Sequence, residues 1–162
     1  MIQIITNVGG TSADLGRLLA IAAITEIPVM FLFSIIVKHV KSSVLLIISG
    51  IFFALKAFGY FAAVNIALMT VAAVMQMGSF ALYIPASVYY VNEVMEEQDK
   101  FKGQALMTGT NTLGGMIGSI LGGFLIDHAG VVVMNLAGLI MAVSGAVLIA
   151  LFVSRQNPVI RK

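Results

Sequence analysis

The 162-residue chain is 60% apolar and only 10% charged, with a mean hydropathy of +1.06. Soluble domains run nearer 45–50% apolar and about 25% charged, so a soluble globular fold is excluded. The absence of cysteine removes disulfides, thiolate metal sites and cysteine nucleophiles. His39 and His128 are too few and too far apart for a metal cluster, and a net charge of +2 scattered singly leaves no nucleic-acid footprint.

The charges are bunched, and the gaps between them are long. Ala57–Asn92, Gly103–Ile126 and Ala129–Ser154 carry none over 36, 24 and 26 residues. Apolar runs of 18 or more residues without charge read as membrane spans. Five are expected, at about 15–37, 43–62, 65–91, 103–126 and 131–153. The 51-residue stretch Ser42–Asn92 is too long for one crossing, and the polar Asn65 after Ala63-Val64 marks where it turns. Backbone groups in lipid must bond internally, and runs without period-two alternation favour helices over barrel strands. The expected fold is an all-α polytopic helix bundle with the lipid bilayer as its solvent.

Loop charge sets the orientation. Lys38, Lys41, Lys100, Lys102, Arg155, Arg161 and Lys162 fall on one side, against Arg17 on the other. The positive-inside rule makes that side, with the 154–162 tail, cytoplasmic and the N-terminus external. A multi-pass protein of the plasma membrane follows. Met1–Gly10 lacks the basic start and apolar block of a signal peptide. An external start with an odd number of spans suggests that something is missing upstream.

Within the spans a few residues stand out. Glu26 sits eleven residues from either end of the first span, where a charge costs roughly 2.5–3.5 kcal/mol on insertion scales and marks a functional site by default. It is a candidate proton-accepting or solute-orienting carboxylate, or else a packing pin beside Pro28. Lys56, the one basic residue inside a span, lies at a similar depth, so a Glu26–Lys56 ion pair competes with snorkelling to the interface. Gln76 and Asn111 are candidates for hydrogen bonding a solute, balanced against bonding between helices; for Asn135 the helix–helix role leads. Pro85 is a candidate gate hinge, and Tyr89 and Tyr90 read as interfacial belt residues. Gly114, Gly118 and Gly122, with Gly115, Ser119 and Gly123, form two rows spaced by four that suit close helix packing. Glu93, Glu96, Glu97 and Asp99 form a solvated loop.

Several stretches resemble the second half of major facilitator superfamily transporters. Asn7-Val8-Gly9-Gly10-Thr11-Ser12-Ala13-Asp14-Leu15-Gly16 leading into Ile24-Thr25-Glu26-Ile27-Pro28 looks like the loop and helix after the seventh span. Lys38-His39-Val40-Lys41-Ser42 stands where the family has its loop between helices eight and nine. Gly114 to Gly130, with Asp127-His128-Ala129-Gly130, is similar to the glycine-rich eleventh helix and its turn. The resemblance implies that the five spans are helices eight to twelve of a C-terminal half. It also implies a missing N-terminal half, or another copy of the chain, as partner. Thr25-Glu26-Ile27-Pro28 and Leu55-Lys56-Ala57-Phe58-Gly59 resemble the branch of lactose-permease-like and phenylpropionate-permease-like proton symporters. Gln76 and Ser79 replace the His and acidic residue that lactose permease carries on its tenth helix.

The expected function is transport of a small organic solute by alternating access, with a proton as candidate coupled ion. The alternative is a non-transporting membrane remnant or helper subunit. No nucleophile, metal or paired-acid constellation points to an enzyme, and no cofactor is expected.

Overall fold

The computed structural model describes residues 1–153, so the basic tail 154–162 lies outside the described residues. Every regular element in them is helical. A short helix, α1 (Ile2–Asn7), precedes α2 (Ser12–His39), α3 (Ser42–Ala62), α4 (Ile66–Val74), α5 (Phe80–Val94) and α6 (Lys100–Val153). A 3-10 turn, Met75–Met77, joins α4 to α5.

Local chemistry explains where the elements start. Thr11 caps α2 with a reciprocal box: its hydroxyl accepts from Asp14 N, and Asp14 Oδ2 accepts from Thr11 N at 2.9 Å. Asn65 caps α4 by accepting from Leu68 N at 2.9 Å, after α3 has ended at Ala62. Four helical stretches are long and apolar enough to cross a membrane: Ser12–His39, Ser42–Ala62, Ile66–Val94 and Glu97–Val153.

The last of these is 57 residues, about 85 Å at 1.5 Å per residue, against a hydrocarbon core of about 30 Å. Gly130 divides it. Its φ of 85° and ψ of 171° belong to a region that only glycine occupies readily. Packing shows that the chain reverses there. The arm 100–129 starts beside the end of α5, with Gly103 against Val91 and Met95 and Gln104 Nε2 donating to Val88 O at 2.9 Å. The arm 131–153 finishes beside the start of α3, where Ile149 and Val153 join Leu45 and Leu46. Those two ends coincide, because Ser42 Oγ donates to Glu93. Both arms therefore begin or finish at one end of the bundle, and the second runs antiparallel to α3.

Two apolar clusters make the core. Phe33, Leu45, Leu46, Leu82 and Ala86 pack at the Ser42–Glu93 end. Ile5, Leu18, Met69 and Ala73 pack at the opposite end. Each cluster joins α2 to the third span, and the middle of α2 runs between them.

Candidate functional site

Glu26 is the residue that occupies that middle. It lies between Leu18 and Phe33 on α2 and is half-buried. Lys56 faces the same layer from α3, two turns beyond Ser49, and is also half-buried. Gln76 enters from the 3-10 turn of the third span. The three side chains form one chain of hydrogen bonds: Lys56 Nζ donates to Gln76 Oε1, and Gln76 Nε2 donates to Glu26 Oε1 at 2.6 Å. Lys56 Nζ also lies 5.7 Å from the centroid of the Tyr60 ring, within cation–π range.

Glu26 and Lys56 are thus connected without touching. The ion pairs among the described residues are Arg17–Asp14, Lys100–Glu97 and Lys102–Asp99. The direct Glu26–Lys56 pair expected from depth is corrected to a pair bridged by the Gln76 amide. Depth along two helices fixes height only, and the third helix fills the lateral gap. Lys56 is held inside the bundle by this bond instead of reaching for an interface.

The geometry suits a neutral amide between opposite charges. Its oxygen meets the ammonium and its N–H meets the carboxylate, which fixes the amide's orientation. One carboxylate oxygen, two ammonium protons, and one N–H and one lone pair of the amide are left for further partners. The two apolar clusters flank the layer along α2, so the partly buried charges bond in a setting less polar than water, where hydrogen bonds are stronger. Loss of helical regularity helps to build it. The 3-10 turn tightens the backbone at Met75–Met77, Ser79 follows with φ −87° and ψ −88°, and Pro28 in α2 lacks the N–H that would reach Ile24.

Other candidates lie elsewhere. Asn111 is exposed on the first arm of α6 and lines a cavity of about 190 Å³ with Tyr83, Ser87, Gln104 and Thr108, apart from the bridge. Pro85 sits inside α5, which stays helical from Phe80 to Val94. Tyr89 packs on Phe33, ring centroids 5.5 Å apart, while its neighbour Tyr90 lies against the same cluster. Asn135 lies on the second arm of α6. Gly114, Gly115, Gly118, Gly122 and Gly123 were expected to seat a neighbouring helix. A Cβ on any of them would meet nothing within 4 Å, so no helix among the described residues covers that face.

The 3-10 turn itself was not anticipated. Gln76 was readable as a polar residue in a span, but the break around it was not, because Met-Gln-Met carries no turn residue. The signal available was Gly78-Ser79, just beyond.

Comparison with known proteins agrees with this architecture. No curated protein and no solved structure matches the chain. The family model described as Major Facilitator Superfamily matches residues 1–162. The chain belongs to the major facilitator superfamily, a family of membrane transporters.

Proposed function

We propose that the chain supplies the C-terminal half of a secondary transporter that moves a small organic solute by alternating access. The observation that carries this reading is the Glu26–Gln76–Lys56 bridge. It places opposite charges and an amide from three helices in one layer, midway along α2. Intramembrane charges are expensive and are retained where they serve a pathway, and transporters of this kind bind solute near the midplane at the junction of two repeats. Five crossings, with Gly130 at the fourth turn, fit the C-terminal half of the superfamily fold. The resemblance to lactose-permease-like and phenylpropionate-permease-like symporters makes sugars and small aromatic carboxylates the first solutes to try.

Glu26 is the carboxylate of the three, and the Gln76 amide cannot exchange charge with a proton. Proton coupling therefore runs through Glu26 in this reading. The uncovered glycine face of α6 is where the N-terminal half, or another copy, would pack. The test is accumulation of labelled lactose and 3-phenylpropionate in membrane vesicles carrying the protein as its gene encodes it. Glu26→Gln keeps size and hydrogen bonding and should abolish accumulation at unchanged expression. Wild-type accumulation by Glu26→Gln would remove the carboxylate from the mechanism.

A further inference from the structure

The break in the third span is pressed against one aromatic ring. Gly78, buried, follows the 3-10 turn directly, and a Cβ built on it would lie 2.4 Å from Cγ and Cδ1 of Phe52 and 2.6 Å from Cε1. Those atoms include the root of the ring, which cannot step aside without changing χ1. Phe52 stands one turn before Lys56 on α3, on the same face. Gly78 stands two residues after Gln76. The same two elements therefore meet twice, ring to glycine and ammonium to amide.

The surroundings are pinned on both sides of the turn. Gly59 of α3 approaches Ala72 of α4 so closely that a Cβ would come within 2.7 Å of the alanine Cβ. Phe53 meets Phe80 and Tyr83 of α5 edge-on, at centroid distances of 6.4 and 6.0 Å. Between these contacts the Phe52 ring of α3 meets the backbone at Gly78, where the turn ends.

We propose that Phe52 and Gly78 are positioning residues for the bridge: the ring, seated on the bare backbone of Gly78, sets the rotation and height of the 3-10 turn that put the Gln76 amide between Lys56 and Glu26. The proposal rests on reading that bridge as the solute site, but its test reads geometry alone. A shift of the turn against α3 breaks the Lys56–Gln76 bond and frees the ammonium. Movement of the third span and release of the charge are then one event.

The chain has no cysteine, so introduced pairs give no background. Glu26→Cys with Gln76→Cys, treated in membranes with a short bifunctional methanethiosulfonate, should give an intramolecular cross-link read as a mass shift. Ser42→Cys with Glu93→Cys, across the far ends of α3 and α5, is the control pair. Adding Gly78→Ala should abolish the 26–76 cross-link and spare the 42–93 one. Adding Phe52→Ala as well should restore the 26–76 cross-link, because the space for the new methyl is returned. Retention of the 26–76 cross-link in Gly78→Ala, its failure to return with Phe52→Ala, or its absence from the parent pair would each overturn the proposal. If Gly78→Ala alone does not fold, the double substitution decides by the same criterion. Loss of the transport reading would leave these cross-links unchanged, so the two failures are distinguishable.

Discussion

Gln76 satisfies two charges that would otherwise face each other across a gap. Lys56 and Glu26 each find it within hydrogen-bonding reach, and a half-buried charge that loses such a partner costs about 1–3 kcal/mol. Lys56→Ala should therefore lower the thermal midpoint of the purified protein, and adding Glu26→Gln should recover part of the loss, since the carboxylate is no longer left charged. Gln76→Leu removes the amide at similar volume and strands both charges, so it should destabilise more than Lys56→Ala does. Equal midpoints for Gln76→Leu and wild type would show that the amide bridges nothing. Intramembrane position alone singled out all three residues in the sequence. What it left hidden was their order, because Coulomb attraction suggested a direct pair and sequence carries no lateral distance.

At the scale of elements, the chain is shaped by where helices fail. Asn65 signals its break openly, being a polar cap in an apolar run. Gly130 is equally legible, as a glycine closing Asp-His-Ala-Gly between two charge-free stretches. Its backbone falls in a region that costs other residues about 1–3 kcal/mol. Gly130→Ala should lower the thermal midpoint or the folded yield, whereas Gly114→Ala, with open space around it, should change neither in the isolated chain. A full-strength Gly130→Ala protein would mean that the reversal does not depend on this conformation. The 3-10 turn at Met75–Met77 was hidden for the opposite reason: its cause is tertiary, a close approach to α3, and no residue inside it announces a break. The glycine rows of α6 were legible as a packing surface but not as an uncovered one, since spacing describes a face and not its occupant.

At the scale of the molecule, the all-helical membrane architecture followed from composition and charge spacing, and the structure and family agree with it. A fifth crossing after Gly130, oriented by loop charge, predicts that reporter fusions after Lys41, Lys100 and Arg155 read cytoplasmic and one at His128 external. A cytoplasmic signal at His128 would contradict the hairpin in the membrane. The apolar clusters flank the bridge, one towards the Ser42–Glu93 end and the other towards α1. In the proposed transporter, solute reaches the layer from one face of the membrane and then from the other.

That claim has a direct measurement. Gln76→Cys places a lone thiol in the layer, and its labelling by a membrane-impermeant maleimide can be followed separately in right-side-out and inside-out vesicles. Alternating access predicts labelling from both faces, with a transported solute slowing both reactions. A thiol labelled from neither face, or from one face only whatever solute is present, would contradict the account.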